Sequence, residues 1–352
     1  MLLREAGDPL AATEELALPD PLADPAVTQL RWKLLYELQD YARLQPAVHA
    51  VANQPERLRA IEAADFLQDF LRFAERTIVA PAAMAACLTA IETACQKDPE
   101  ARIFWRAAGR RLRRRQRILA AGGRARILSL GLNCLPWHLP GRWGLRRAED
   151  FVALFGPFSL ASHKVDGVVR AIASDFTDYA QPEALRIVTT AKGHEMAIRR
   201  DRLGGWNHVR GAYWLANDYA RLRAFLAAQA DRFRAACRDP NTVFMMSNCP
   251  VEYPEEPLDF LEPLQDALAR HTGTTANRIL ITNQTAAGRA PARHRIDATV
   301  TFAYLPFPSA DYVWHDDDDA NTEEGFAYEA ACARLITGTL ARWGLATPLG
   351  DA

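Results

Sequence analysis

The first third of the chain places apolar side chains at helical spacing. Between Leu30 and Leu44 they recur every three or four positions, which predicts an amphipathic helix. The same period returns in three further segments, at 56–79, 82–96 and 99–120. We therefore expect an all-helical domain over residues 27–122, with Gly122 and Gly123 at its end.

After these glycines, short apolar runs alternate with amphipathic stretches. The apolar runs predict strands at Arg126–Leu132, Arg186–Thr190, Thr242–Ser247, Arg278–Thr282 and Asp297–Tyr304. The amphipathic stretches predict helices at 146–154, 164–175, 212–237, 258–271 and 322–342. This alternation favours an α/β domain over residues 123–352, with a mostly parallel sheet flanked by helices. In such sheets the working residues lie at the carboxyl ends of the strands.

Composition and charge change this picture little. Of the 352 residues, 49% are hydrophobic and 24% are charged, and the formal net charge is -1, as in an ordinary globular protein. This balance gives no reason to expect nucleic acid as a partner, and we expect no membrane span.

Residues 1–26 are rich in Ala, Pro, Asp and Glu, which predicts a flexible lead-in. The start of the chain lacks the layout of a secretory signal, so we expect a cytoplasmic protein.

One of the six cysteines stands apart from the others. Cys87, Cys95, Cys134, Cys237, Cys249 and Cys332 form no CxxC pair, so no zinc site is expected and most should be buried hydrophobic residues. Cys134, however, directly follows a predicted strand, and Pro136 suits the first turn of a helix. A thiol at such a turn faces N–H groups that lower its pKa and can hold an oxyanion. Asn133 adds a side-chain amide, and we expect Cys134 to be a nucleophile.

A succession of motifs around Cys134 resembles a known family. The motifs are Ser129-Leu-Gly-Leu-Asn-Cys134, Gly144-Leu-Arg-Arg147, Gly156-Pro-Phe158, Val168-Val-Arg-Ala-Ile-Ala-Ser-Asp-Phe176 and Gly193-His-Glu-Met196, followed by a helix with Tyr219, Arg221 and Phe225 and by Thr242-Val-Phe-Met-Met246. This order is similar to that of a bacterial family of uncharacterised proteins described as papain-like cysteine peptidases. The resemblance covers residues 125–250 well and 251–345 weakly. It implies that Cys134 is the nucleophile and that His194 is the partner histidine.

The chain departs from that family at two places. Ser159 follows Gly156-Pro-Phe158 where the family has Asp, so an acidic orienting residue is missing there. Pro140 and Gly141 interrupt the stretch where the family continues a helix after the cysteine.

Three histidines compete for the role of general base. His194 follows the predicted strand 186–190 and would lie at the same sheet edge as Cys134. His315 precedes the last predicted helix, where SGNH-type hydrolases place an Asp and a His, and those enzymes carry a nucleophile at the end of their first strand. His208 follows Gly-Gly-Trp-Asn and is expected on a glycine-rich loop. A cysteine nucleophile needs a base within hydrogen-bond reach, and the sequence leaves the choice open.

Two charged segments have simpler interpretations than ligand sites. Asp316–Asp319 is a run of adjacent carboxylates without the spacing of a cation-binding loop, and Asn321 and Glu324 beside it resemble a capping box. The arginines of the segment 99–120 form a stripe at helical spacing, which consists of Arg106, Arg110, Arg113, Arg114 and Arg117. The stripe is expected to be a solvated face, although it would also suit phosphate groups. No P-loop or GxGxxG motif is present.

Together these patterns predict a cysteine-dependent hydrolase in which Cys134 attacks an acyl carbon and a histidine moves the proton. The resemblance implies a peptidase. The alternatives are an acyltransferase of polysaccharide biosynthesis with an acyl-CoA donor, because similar proteins with a Gly-Asn-Cys turn occur there, and an inactive binding protein. We expect no cofactor and no metal. The substrate would be a small molecule, a peptide or an acyl compound, and a protein partner would bind the helical domain.

Overall fold

The computed structural model describes residues 8–121, 123–190, 193–251, 258–314 and 317–347. The chain begins with seven helices: α1 Pro9–Glu15, α2 Pro25–Glu37, α3 Tyr41–Ala52, α4 Pro55–Leu58, α5 Ala64–Arg76, α6 Pro81–Lys97 and α7 Pro99–Ala120. The predictions over 82–96 and 99–120 are confirmed. The segment 56–79 contains two helices instead of one, and the segment from Leu30 to Leu44 crosses the break between α2 and α3. That break is at Gln39, whose φ is 56°.

Residues 8–26 of the lead-in are more ordered than the sequence predicts. It contains α1, whose first N–H groups are accepted by the Asp8 carboxylate, and Asp24 caps α2 in the same way. An acidic N-cap followed by proline is a strong helix start, so the residues that suggested disorder also begin helices. Leu22 is buried between them.

The chain divides into two compact units. The helical unit contains the chain up to Ala120 together with Gly141–Val152, and the sheet unit contains Ala121–Pro140 and the chain from Ala153 onward. The predicted boundary after residue 122 is therefore wrong for 141–152. This segment packs with the helices: Gln45 donates to the Ala148 carbonyl at 3.0 Å, and the Phe151 ring packs edge-on against Tyr41. Gly122 itself lies outside the described residues.

The sheet unit contains the predicted parallel sheet. Its strands are β1 Arg126–Ser129, β6 Thr242–Val251, β7 Arg278–Thr285, β8 Ala292–Arg295 and β9 Val300–Pro306. The spatial order is β1-β6-β7-β9-β8, and all neighbours are parallel except β8, which pairs antiparallel with β9. β1 and β7 are almost completely buried, as the continuous apolar runs predict.

A second, antiparallel sheet was not predicted. It consists of β2 Ser162–His163, β3 Leu185–Thr189, β4 Glu195–Arg199 and β5 Gly204–Arg210 in the order β2-β5-β4-β3. The strand predicted at 186–190 thus belongs to this sheet and not to the sheet of Cys134. It pairs with β4 through a short connection, in which the Thr190 N–H donates to the His194 carbonyl at 2.8 Å. A connection of this length joins antiparallel neighbours, because parallel strands need a long crossover.

Seven more helices complete the described chain. They are α8 Leu135–Arg142, α9 Asp150–Ala153, α10 Val165–Ala173, α11 Ala212–Cys237, α12 Leu261–Thr272, α13 Asp317–Ala320 and α14 Glu323–Arg342. The helix predicted at 146–154 is reduced to one turn, and α11 is kinked at Ala216–Tyr219 by three residues with left-handed φ. No described helix is both long enough and apolar enough to cross a membrane.

Two local predictions need correction. Pro140 lies inside α8 and does not interrupt it. The N-cap of α14 is Thr322, whose hydroxyl accepts the Gly325 N–H at 3.0 Å. The predicted capping box at Asn321 and Glu324 is therefore one residue out of register, since a threonine hydroxyl caps as well.

Candidate functional site

Cys134 lies directly after a strained turn at the carboxyl end of β1. The strand ends at Ser129, and Gly131 and Leu132 both adopt left-handed φ values, of 74° and 69°. Leucine rarely adopts this conformation, and such residues concentrate at functional sites. α8 begins at the residue after Cys134, and the Cys134 carbonyl accepts the Trp137 and His138 N–H groups at 3.1 Å. The predicted strand-to-helix position of the thiol is confirmed.

The Gly156-Pro-Phe158 motif supports this turn. A side chain at Gly131 would come within 3.0 Å of the Phe158 carbonyl oxygen, and the Ser129 hydroxyl donates to the same oxygen at 3.3 Å. Ser159, where the family has Asp, is fully buried, and its hydroxyl accepts the Gly156 N–H at 3.0 Å. The residue at 159 thus closes a local turn, a role that a serine hydroxyl fills.

Asn133 is held in a cluster of polar side chains from neighbouring strands. Its Oδ1 accepts the Leu135 N–H at 2.9 Å, and its Nδ2 lies 3.4 Å from both Ser247 Oγ and Gln284 Oε1. Gln284 Nε2 donates to Ser247 Oγ at 2.6 Å, and both of these residues are fully buried. Asn133 therefore has a fixed orientation next to the thiol. The three residues are called the amide cluster below.

Sequence reasoning missed two members of the amide cluster. Ser247 ends the apolar run of β6, and Gln284 lies in the polar run Thr282–Thr285 that closes β7. All four residues of that run are at most 1% exposed. A buried polar run at the carboxyl end of a parallel strand is the signal that would have indicated them.

The histidine beside the thiol is His208. It lies on β5 and not on a glycine-rich loop, so that prediction is wrong. Met196 pairs with Arg210 and Ile198 with Gly205, and four residues of β5, from Trp206 to Val209, therefore lie opposite Ala197 alone. Such a bulge redirects side chains and is common beside active sites.

His208 Nε2 lies 3.6 Å from Cys134 Sγ, which is hydrogen-bond distance for a sulfur. The residue Cys134 keeps some exposure, but its sulfur is enclosed, and burial raises the pKa of the thiol to about 12. The expected lowering of this pKa by the helix start is therefore wrong, because desolvation dominates. The resting group is a neutral thiol in contact with an imidazole.

Two backbone N–H groups at this turn are available to a ligand. Within the described residues, the N–H groups of Asn133 and Cys134 donate to no protein acceptor. Adjacent N–H groups of this kind can hold a developing oxyanion.

Cys134 differs from the other cysteines in its contact with a histidine and not in its pKa. Burial raises the pKa of Cys87, Cys237 and Cys332 to about 12 and that of Cys95 to about 11. These four are buried, as predicted. The side chain of Cys249 lies outside the described residues.

Of the other two candidate bases, only His194 lies within the described residues. His194 lies in the connection between β3 and β4, and its N–H donates to the Thr190 hydroxyl at 3.1 Å. His315 lies outside the described residues. The described residues therefore bring Cys134, Asn133 and His208 together as the candidate site.

The arginine stripe faces solvent in part, and the side chains of the acidic run are described only at Asp319. Arg106, Arg113 and Arg117 of the arginine stripe are exposed, and Arg110 and Arg114 are half-buried. The side chains of Asp316–Asp318 lie outside the described residues, and the Asp319 carboxylate accepts the Val313 N–H at 2.6 Å. In the described part of the chain, no group of three or more His, Cys, Asp or Glu side chains is arranged to hold a metal ion.

Comparisons of this chain with family models, curated proteins and solved structures found no match. The resemblance to papain-like cysteine peptidases stays a prediction.

Proposed function

We propose that this protein is a cysteine-dependent acyl hydrolase in which Cys134 is the nucleophile and His208 is the general base. The contact of 3.6 Å between Sγ and Nε2 carries the proposal, because a nucleophile activated by an adjacent base has this geometry. The resemblance implies His194 as the base, whereas this proposal assigns the role to His208.

The first half-reaction follows from the protonation state of the pair. Since burial keeps the Cys134 pKa at about 12, the thiol proton passes to His208 Nε2 as the sulfur attacks the carbonyl carbon. The Asn133 and Cys134 N–H groups receive the oxyanion. When the tetrahedral intermediate collapses, the carbon–leaving group bond breaks and His208 returns the proton to the leaving group. The product is an acyl-thioester on Cys134.

The second half-reaction releases the acyl group. His208 takes a proton from the incoming water, whose oxygen bonds to the acyl carbon, and the sulfur leaves and regains the proton. The amide cluster keeps Asn133 and the start of α8 in place throughout both steps.

Acyl transfer is the second candidate, and the enclosure of the sulfur favours it. A site that excludes water protects a thioester against hydrolysis, so an amine or hydroxyl acceptor would complete the reaction. An acyl-CoA donor is compatible with this chemistry.

The test is a release assay with nitrophenyl esters and acyl thioesters of short carboxylic acids. Wild-type protein should release the leaving group, Cys134→Ala should not, and the matched control Cys95→Ala, which removes a buried thiol elsewhere, should behave as wild type. Added amines or polyols should accelerate release if transfer is the reaction. Release that is equal in wild type and Cys134→Ala would contradict both candidates and favour the inactive binding protein.

A further inference from the structure

The helical unit encloses three arginines that are not part of the arginine stripe. Arg111 and Arg115 of α7 are 2% and 4% exposed, and Arg146 is 2% exposed. Arginine is rarely buried to this degree unless its charge is paired. The partners of these side chains therefore decide what the cluster does.

Arg111 has a bidentate carboxylate partner. Its Nε and Nη2 donate to the two carboxylate oxygens of Glu75, each at 2.7 Å. This bidentate geometry is the strongest that the two groups form. It also engages both oxygens of the Glu75 carboxylate.

Arg115 has no such partner. In the part of the chain that the structure describes, its guanidinium makes no hydrogen bond or ion pair. Its Nε is completely enclosed, while its two terminal nitrogens are not. Burial lowers the pKa of Arg115 to about 10, against the opposing effect of Glu75.

Two groups without negative charge, His49 and Gly144, are neighbours of Arg115. His49 Nε2 donates to the Thr77 carbonyl at 3.0 Å, and the His49 pKa is lowered by burial and by the charge of Arg115. Gly144, with φ of 78°, packs its backbone directly on the Arg115 side chain, where a Cβ would come within 2.5 Å of Cγ.

Arg146 adds a further buried charge to the unit. Burial lowers its pKa to about 9, and Asp150 is the charge that opposes this effect. In the described residues Arg115 has no hydrogen-bonded carboxylate of its own, because Glu75, the charge that acts on it, is engaged by Arg111.

We propose that Arg115 is the centre of an oxyanion site in the helical unit, and that its ligand is a phosphate group, free or carried by a phosphorylated small molecule. An enclosed charge without a partner is costly, and a planar guanidinium fork with five donors matches phosphate oxygens. The partly accessible terminal nitrogens are the donors that would reach the ligand. This proposal does not depend on the proposed hydrolase activity.

The test is calorimetric titration of the full-length protein with inorganic phosphate, at constant ionic strength set with chloride. Wild-type protein should bind, and Arg115→Met should bind about tenfold more weakly or not at all, because charged hydrogen bonds are lost. Arg113→Met removes an exposed arginine of the same helix and should bind as wild type.

The melting temperature in chloride alone gives an independent readout. Arg115→Met should melt at or above the wild-type temperature, since it removes an uncompensated buried charge. If wild-type protein does not bind phosphate, or if Arg113→Met weakens binding as much as Arg115→Met, the proposal is overturned. Comparison of inorganic phosphate with a sugar phosphate and a nucleotide then identifies the source of the phosphate group.

Discussion

Sγ of Cys134 and Nε2 of His208 lie 3.6 Å apart, although the two residues are 74 positions apart along the chain. The thiol follows the first strand of the parallel sheet, and the imidazole projects from a bulged strand of the small antiparallel sheet. The pair therefore exists only when both sheets of the sheet unit are formed, and a defect in either sheet should disrupt it.

The neutral state of the thiol predicts its reactivity toward alkylation. Because burial raises the Cys134 pKa from 9.0 to about 12, the thiolate fraction grows only at alkaline pH. Iodoacetamide should modify Cys134 in the native protein more slowly than it modifies a free cysteine at neutral pH, and the rate should still rise above pH 9. A mass-spectrometric time course over pH measures this, and a plateau near neutral pH would instead indicate a resting thiolate–imidazolium pair.

The turn before the thiol should not tolerate a side chain. Gly131→Ala combines a left-handed φ of 74° with a contact of 3.0 Å to the Phe158 carbonyl, so we expect a loss of about 1–3 kcal/mol in the free energy of unfolding. Gly338→Ala is the control: a Cβ at Gly338, within α14, meets nothing within 4 Å, and alanine there should stabilise by up to ~1 kcal/mol. Urea denaturation measures both, and equal effects would contradict the account of this turn.

Gln284 should be important for both stability and activity. Gln284→Met removes the donor to Ser247 Oγ and an acceptor for Asn133 Nδ2, and leaves these two groups with the 3.4 Å contact between them. This loss should cost about 1–3 kcal/mol of unfolding free energy and slow the acylation of Cys134. Gln181→Met removes an exposed glutamine and should change stability by less than ~0.5 kcal/mol. If Gln284→Met weakens the fold but leaves the acylation rate unchanged, the amide cluster has a purely structural role.

The buried His163 should make the fold sensitive to acid. Burial, assisted by the charge of Arg199, lowers the His163 pKa from 6.5 to about 3. Below pH 6.5 His163 is protonated in the unfolded chain but stays neutral in the folded chain. Its contribution to the free energy of unfolding is therefore fully present above pH 6.5 and is lost as the pH falls toward 3.

His163→Gln should flatten this acid decline, because the titrating ring is gone while a polar group remains for the Tyr179 hydroxyl, which lies 2.9 Å from His163 Nε2. His294→Gln, at an exposed position, should leave the decline as in wild type. The measurement is the free energy of unfolding at several pH values, and parallel curves for all three proteins would refute this assignment.

Local patterns predicted most of the elements but not the pairing of the small sheet. Helical periodicity located α6 and α7, and apolar runs located the parallel strands. Burial on one face of a helix or on both faces of a strand requires a hydrophobic pattern that can be recognised in the sequence. The short strands β2, β4 and β5 leave no such trace. Their pairing depends on a hairpin and a bulge that only the tertiary structure defines.

The candidate site was likewise predicted only where it depends on the local sequence. Cys134 and Asn133 were recognisable because a strand, a glycine and a helix start adjoin them in the sequence. His208 was one of three candidate bases and could not be singled out, because the bulge that directs it toward the thiol arises from the pairing of β5 with β4. The direction in which the Cys134 pKa shifts was also predicted wrongly. The helix start that would lower this pKa is visible in the local sequence, whereas the burial that raises it depends on the tertiary structure of the sheet unit.

The most direct test of the account is the rate at which an activated ester acylates Cys134 in wild type, His208→Gln and His194→Gln, followed by intact mass and peptide mapping. The account predicts one adduct, on Cys134, a decrease in rate of roughly 10²–10⁴-fold in His208→Gln from the loss of general-base catalysis, and a rate close to wild type in His194→Gln. Acylation that is unaffected in His208→Gln, or adducts spread over other residues, would contradict the assignment of Cys134 and His208 as the catalytic pair.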